Sequence, residues 1–160
     1  MLNNDKQPFG LAGEGWEVEF ARPLAFTGAV GNTRGDKDGT KSTQTLFTVT
    51  GSVLVRIFGV VTTTLVGAGT LEVGVVGATA GLIAQVADAT TLATSDIWLA
   101  ATSAAGPRLL SDVLGPYIVP NGLTIGEKTA GTDISAGQIY YICIWRPLTS
   151  DGKVVGTVEV

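Results

Sequence analysis

Six carboxylate side chains in the middle of the chain are the residues that could do chemistry. Two carboxylates at a fixed separation can serve as acid and base, or as acid and nucleophile, in glycoside hydrolysis. Most of the six adjoin turn residues, however, where an Asp side chain caps backbone N–H groups. We therefore expect structural roles for them and expect the protein not to be an enzyme. The six are Glu72, Asp88, Asp96, Asp112, Glu127 and Asp133.

Other catalytic and metal-binding patterns are missing from the sequence. The chain contains no histidine and one cysteine, Cys143. Ser/His/Asp and Cys/His catalysis need an imidazole base, and zinc sites need several Cys or His ligands. No glycine-rich loop carries the Lys-Ser/Thr ending that cradles phosphates. We expect no metal and no cofactor, and we expect Cys143 to be a small buried side chain.

A charged, glycine-rich loop contains two short motifs. Arg34-Gly35-Asp36 is a tripeptide that some adhesion receptors recognise, and residues 36–39 are similar to the start of a calcium loop. The calcium loop needs a glutamate at its twelfth position, where Leu46 or Phe47 stands instead. Three residues also recur by chance. We therefore expect a solvated loop, and the sequence leaves open whether Arg34-Gly35-Asp36 binds a ligand.

Aromatic side chains are the candidate contact residues. Trp16, Phe20 and Phe26 could anchor an N-terminal segment, either on its own domain or on a partner. Tyr140 and Tyr141 combine apolar area with a polar tip, which suits an interface or the edge of a core. Two further tryptophans, Trp98 and Trp145, could stack on sugars, but their apolar surroundings favour core packing.

The segment that must position these groups is the apolar run Gln138–Leu148. Its β-branched and aromatic residues predict a strand. Both faces of this strand are largely apolar, whereas a strand with one face in water shows clean alternation. One face therefore packs the core and the other meets a second sheet or another subunit. The sequence leaves open which face does which.

Further short strands follow from turn signals along the chain. We expect a long strand over Ser52–Leu65 with a bulge or bend at Gly59, and strands at Arg108–Val113 and Tyr117–Val119. Gly81–Val86 suits either a strand or a helical turn. In total eight to ten strands predict an all-β fold, an antiparallel β-sandwich that is jelly-roll-like.

Charge divides the chain into two parts. Eleven of its 24 charged side chains lie in residues 1–41, which we interpret as an extended N-terminal arm and polar loop before a sandwich domain over residues 42–160. Overall, hydrophobic residues make up 45% and charged residues 15%, against about 25% charged in typical proteins. Such a low charge indicates that surface is buried in an assembly.

Net charge and hydropathy narrow the range of partners. A net charge of -4 disfavours nucleic-acid binding, because phosphate contacts need a basic patch. The polar N-terminus lacks the pattern of a signal peptide, and no apolar stretch is long enough to span a bilayer comfortably. We expect a soluble protein made in the cytoplasm, without nucleic-acid or membrane partners.

Two sequence blocks carry a resemblance to a known class of protein. Thr48–Thr62 reads T-V-T-G-S-V-L-V-R-I-F-G-V-V-T, and Thr132–Leu148 reads T-D-I-S-A-G-Q-I-Y-Y-I-C-I-W-R-P-L. With the glycine-rich middle of the chain, they resemble small structural proteins encoded near the capsid genes of tailed bacteriophages. Many of these are decoration (cement) proteins with β-sandwich or jelly-roll domains.

The resemblance implies a function. A decoration protein forms homotrimers on the capsid surface of the virion, binds the lattice of the major capsid protein, and grips it with an extended arm. It stabilises the shell without chemistry. The alternative is a carbohydrate- or receptor-binding module of a phage spike, fibre or tail, which predicts exposed aromatic side chains at loop tips.

Overall fold

The computed structural model describes residues 15–28, 32–113 and 115–159, so the first fourteen residues of the predicted arm lie outside the described part. The described residues form eleven strands and three short 3-10 turns. Two antiparallel sheets pack face to face, which confirms the predicted all-β sandwich. In chain order the strands are β1 (Glu17–Ala21), β2 (Thr43–Thr50), β3 (Val53–Val66), β4 (Thr70–Val75), β5 (Ala78–Val86), β6 (Asp96–Trp98), β7 (Ser103–Ala105), β8 (Tyr117–Val119), β9 (Ile125–Ala130), β10 (Ala136–Pro147) and β11 (Lys153–Gly156).

The larger sheet is built around the pair β3 and β10. Its strand order is β1-β10-β3-β6-β7, and β8 pairs with the first residues of β3 on the edge that β6 also uses. The β3–β10 ladder runs continuously from Ile139 opposite Val61 to Pro147 opposite Val53. Because β-branched side chains fit a pleated surface, the two most Ile- and Val-rich segments form the centre of this sheet.

The smaller sheet has the order β11-β2-β9-β4-β5. Along one side the two sheets are joined, because Arg22 forms a parallel bridge with Val158. The Arg22 N–H donates to the Thr157 carbonyl at 2.8 Å, and the Glu159 N–H donates to the Arg22 carbonyl at 3.1 Å. The segment after β1 is thereby fixed to the end of the chain.

The core lies between the sheets, and one face of β10 lines it. Ile139, Tyr141 and Cys143 are fully buried, and Trp145 is nearly so. Trp98 of β6 packs edge-on against Tyr141, with 6.2 Å between ring centroids. This decides which face of the predicted strand points inward: the other face, from Tyr140 to Arg146, points away from the sandwich.

Gly59 does not bend β3. The strand keeps its register with β10 there, and the register shifts lie further along, near the β10 residues 136–139. A Cβ at Gly59 would lie 2.9 Å from Ile139 Cγ2, 3.3 Å from the Tyr141 ring and 3.4 Å from the Trp98 ring. The predicted bend is wrong, and the glycine instead leaves room for the buried aromatic pair.

Two other local predictions change. The segment Arg108–Val113 is not a strand, since it contains a 3-10 turn at Leu110–Asp112. Gly81–Val86 is a strand, the second part of β5. Within the described ranges, no helix is long and apolar enough to cross a membrane.

Candidate functional site

Each of the six candidate carboxylates has a structural partner. Glu127 is buried in an ion pair described below. Across residues 15–28, 32–113 and 115–159, no cluster of three or more Asp, Glu or Cys is placed to hold a metal ion. The other contacts are Glu72 with Gln85 Nε2 (2.8 Å), Asp88 with the Thr90 N–H (2.9 Å), Asp96 with Ser103 Oγ (2.6 Å), Asp112 with Arg108 Nε (3.6 Å) and Asp133 with the Lys37 N–H (2.9 Å).

Arg34 of the Arg34-Gly35-Asp36 tripeptide is buried, so the prediction of a solvated loop is wrong for this residue. Its guanidinium donates from Nε to Glu127 Oε1 and from Nη2 to Glu127 Oε2 at 2.8 Å. The Tyr141 hydroxyl donates to the same Oε2 at 2.6 Å. Arg34 is 4% and Glu127 1% exposed. Such a bidentate, charge-assisted pair fixes geometry, and it joins the N-terminal segment to both sheets.

The surroundings of Arg34 complete its hydrogen bonding. Nη1 donates to the Leu24 carbonyl at 2.6 Å, and the guanidinium stacks over the Phe26 ring at 3.9 Å. Burial alone would lower the pKa of Arg34, but Glu127 and Tyr141 outweigh it and raise the pKa. Burial raises the pKa of the Tyr141 hydroxyl well above its usual value, and Glu127 adds to that rise. Both shifts favour the protonated forms of Arg34 and Tyr141, and both groups hold the same Glu127 carboxylate by hydrogen bonds, so the network is structural.

Asp36 organises its own loop. Its carboxylate accepts the N–H groups of Asp38 (2.9 Å), Gly39 (3.1 Å) and Asn32 (3.4 Å). These donors, with Asp38 first, lower the pKa of Asp36. The carboxylate oxygens that a calcium loop would offer to a cation are therefore used by the backbone of the loop itself.

The outer face of the larger sheet is the largest feature that no core element explains. We define it as the residues of β1, β10, β3, β6 and β8 that point away from the sandwich. Its exposed members include Phe20 (47%), Ile118 (68%) and Tyr140 (37%). Its central part consists of Trp16, which precedes β1, and of Val18, Phe20, Leu54, Arg56, Phe58, Val60, Ile97, Ile118, Tyr140, Ile142, Ile144 and Arg146. At its margin lie Arg22, beside the Tyr140 ring, and the exposed Thr62 and Thr64 of β3.

These residues form ordered rows across the strands. Phe20 lies opposite Ile142, which lies opposite Phe58. The neighbouring row runs from Val18 through Ile144 to Arg56. Cross-strand neighbours on one face are in side-chain contact range, so the face is continuous and apolar over the centre of the sheet.

Strand β1 shows the reverse of the usual pattern. Val18 and Phe20 point outward, whereas Glu17 and Glu19 are on the side that faces the smaller sheet. Glu19 Oε1 accepts the Gly156 N–H at 3.1 Å. A strand whose outer face is meant for water places its apolar residues inward. The sequence of β1 therefore supplies apolar side chains to the outer face.

The smaller sheet provides the internal comparison. Its outward residues are mostly Thr, Lys and Gly: Thr45 and Thr48 on β2 and Lys128 on β9 are examples. Val155 of β11, 44% exposed, is an isolated apolar residue there. The two sheets of one sandwich thus have opposite outer surfaces, one polar and one apolar.

A groove of about 200 Å³ lies at the β6 end of the apolar outer face. Phe58, Ile97 and Leu99 form its floor, and Pro107 and Leu109 of the segment 106–113 form its wall. Leu109 is 70% exposed. The groove has room for one large apolar side chain, and such pockets are where interface anchors sit.

The structure separates the five predicted contact residues. Trp16, Phe20 and Tyr140 lie on the apolar outer face, Trp16 beside the Arg146 guanidinium at 6.0 Å. Phe26 and Tyr141 lie inside, 2% and 0% exposed, so they are not surface contacts for a partner. Phe26 packs under Arg34 of the same N-terminal segment, and its N–H donates to the Gly137 carbonyl of β10 at 2.9 Å, which connects the segment to the larger sheet.

The remaining tryptophans are core residues, as predicted. Trp98 is 0% and Trp145 5% exposed, so neither forms a sugar-stacking platform. Sequence reasoning missed Leu54, Phe58 and Val60 as surface residues. Their signal was present, because the β3 run V-L-V-R-I-F-G-V-V is apolar at both odd and even positions, as β10 is.

Comparison with known proteins adds no relative: no family model, no curated protein and no solved structure matches this chain. The function is therefore inferred from the surface that the fold builds.

Proposed function

We propose that this protein is a non-enzymatic structural subunit that joins an assembly through the apolar outer face of its larger sheet. The observation that carries the proposal is the contrast between the two outer surfaces of the described sandwich. The outward rows of the larger sheet are mostly aromatic and aliphatic; Val18, Phe20 and Tyr140 are exposed in them, and Ile144 between them is 7% exposed. The outward residues of the smaller sheet are mostly polar. Contiguous apolar patches on soluble proteins mark interaction sites. Aromatic residues and arginine, both present here, are the types enriched at interfaces.

We further propose that the assembly is a virion and that the protein decorates the capsid lattice of a tailed bacteriophage. Support for this step is the resemblance of Thr48–Thr62 and Thr132–Leu148 to such proteins. The first block contains the end of β2 and most of β3, and the second contains all of β10; β3 and β10 are the strands at the centre of the apolar outer face. In this proposal the N-terminal arm contacts the major capsid protein. The resemblance also implies a homotrimer, which is the alternative to the dimer inferred below, and the light-scattering experiment described there distinguishes the two.

Particle composition tests the proposed function. Virions purified from a lysate of the phage that encodes the chain should contain it in a fixed ratio to the major capsid protein, as measured by quantitative mass spectrometry. Particles made without the chain should release DNA at a lower temperature. Absence of the chain from purified virions would exclude the decoration role.

Two substitutions connect that test to the surface. Phe20→Lys places a charge on the apolar outer face, and Val155→Lys places the same charge on the polar surface of the smaller sheet at similar exposure, 47% against 44%. We expect the first to reduce the amount of chain in virions and the second to leave it unchanged. Equal incorporation of both variants would remove the outer face from the proposal.

A further inference from the structure

We infer that a second copy of this chain covers the apolar outer face, with the two larger sheets packed face to face about a twofold axis parallel to their strands. The inference deepens the proposed function, because it names the occupant of the proposed assembly surface. It depends on the register of the rows and on the position of the groove.

A twofold rotation about an axis parallel to the strands leaves each row at the same position along the strand direction. It reverses the order of the strands across the sheet. The β1 end of one copy then faces the β6 end of the other. Phe20, Ile142 and Phe58 share one row, and the groove adjoins Phe58 and Ile97. Phe20 of each copy therefore lies over the groove of its partner copy. In an isologous contact, residue i of one copy meets residue j of the other, and the reverse contact also occurs. The exposed Phe20 and the groove meet this requirement, because they lie in the same row at opposite edges of the sheet.

The two ends of the face are also complementary in height. At the β6 end, the segment 106–113 lies on the sheet and buries Leu99 to 5% exposure. At the β1 end, Val18 and Phe20 remain about half exposed. The same rotation places the raised end of one copy over the bare end of the other. Sheets packed face to face keep their strands within about 30° of each other, which permits this alignment.

The arginines of the face fit the same arrangement. Arg56 shares a row with Ile144, and Arg146 shares one with Leu54. Under the rotation, Arg56 faces Ile144 of the partner copy and Arg146 faces Leu54 of the partner copy, so like charges are not opposed. Arg146 already lies beside the Trp16 ring. The alternative to a second copy is a different protein whose apolar surface carries carboxylates. Such carboxylates could pair with the arginines of the face, which itself contains no Asp or Glu.

The available area is sufficient. The central strands β3 and β10 each place four residues on the face, and β1 on one side and β6 with β8 on the other widen it to about four strand positions. At about 4.8 Å between strands, this gives roughly 19 Å by 24 Å, or about 450 Å² per copy. Two copies together bury about 900 Å². The exposed side chain of Leu109 adds to this area, so the total reaches the roughly 1,000 Å² of the smaller specific interfaces.

Light scattering and a mixing experiment test the arrangement. The molar mass of the purified protein, measured by light scattering, should be twice the 16.4 kDa of one chain. Phe20→Glu and Leu109→Lys should each weaken self-association at least ~10-fold, because each places a charge in both contacts of the dimer. An equimolar mixture of the two variants should restore dimers, since one contact then pairs Glu with Lys and the other is wild type. Val155→Glu is the matched control and should dimerise normally.

Several outcomes would overturn the inference. They are a wild-type monomer at about 100 µM, a trimer, unchanged dimers in both single variants, and a mixture that stays monomeric. If deletion of residues 1–14 converts a wild-type monomer to dimers, the cover is the chain's own N-terminus and the inference is again wrong. Circular dichroism of each variant reports folding. Because only purified chain is used, failure here leaves virion incorporation untouched, and absence from virions leaves the dimer intact.

Discussion

The buried pair of Arg34 and Glu127 allows the sharpest stability prediction. Arg34→Met removes the guanidinium group and keeps an unbranched apolar side chain that matches arginine only as far as Nε. Glu127 then stays buried at 1% exposure with Tyr141 as its remaining side-chain donor. Breaking a buried ion pair by removing one partner costs about 3–5 kcal/mol, because a charge remains without compensation. The loss of the Phe26 stacking and of the bond to the Leu24 carbonyl acts in the same direction.

The measurement is equilibrium unfolding in urea, followed by tryptophan fluorescence. With a slope of about 2 kcal/mol per molar urea, a loss of 4 kcal/mol lowers the midpoint by about 2 M. Lys153→Met, an exposed change on the smaller sheet, is the control and should stay within about 0.5 kcal/mol of wild type.

A double-mutant cycle separates the pair from its surroundings. Glu127→Leu alone leaves Arg34 buried and uncompensated, so we expect a loss similar to that of Arg34→Met. The double variant has no buried charge, and replacing a buried ion pair by apolar groups is often close to neutral. It should therefore lose at least ~2 kcal/mol less than the sum of the single variants. Simple additivity, or a loss below about 1 kcal/mol for Arg34→Met, would refute this reasoning.

Three further predictions concern other parts of the fold. Gly59→Ala should lower the free energy of unfolding in urea by about 1–3 kcal/mol, because the added methyl group overpacks against the Trp98 and Tyr141 rings. Alanine otherwise suits a strand better than glycine. An unchanged free energy of unfolding would show that the core can make room for the methyl group. Burial raises the pKa of the Cys143 thiol. A thiol reagent at pH 8 should therefore label the native protein only as fast as it unfolds. Rapid labelling without denaturant would contradict the buried position. Because the folded-state pKa of Asp36 lies below its ordinary value of 3.8, its contribution to stability is present above pH 3.8 and is lost as pH falls through the lower folded value. Asp36→Asn should make the urea midpoint less dependent on pH in that range, and an unchanged acid profile would exclude the contribution.

The strands of the sandwich were predictable because their signals are local. The two-sided apolar pattern of Gln138–Leu148 predicted a strand with something to cover on each side, and the structure shows one side in the core. Tyr141 and Trp145 could not be assigned to that side in advance. Both faces have similar composition, so only the positions of neighbouring strands decide which one is enclosed.

The Arg34 site could not be predicted, because its partner is distant in the chain. Glu127 lies 93 residues away, and glycines and charges around Arg34 have the composition of a solvated loop. Gly59 is a similar case. Glycine within a strand often marks a bend, but here the reason is the size of two rings contributed by other strands, which the local sequence does not reveal.

Strand β1 would couple the folding of the chain to the dimerisation inferred above. It supplies Val18 and Phe20 to the outer face, and its end holds the two sheets together through the bridge between Arg22 and Val158. A partner that binds this strand binds only the folded state, and by mass action it raises the apparent free energy of unfolding. If the inferred dimer forms, the thermal midpoint should rise with protein concentration, so that a dilute subunit unfolds more readily than an assembled one.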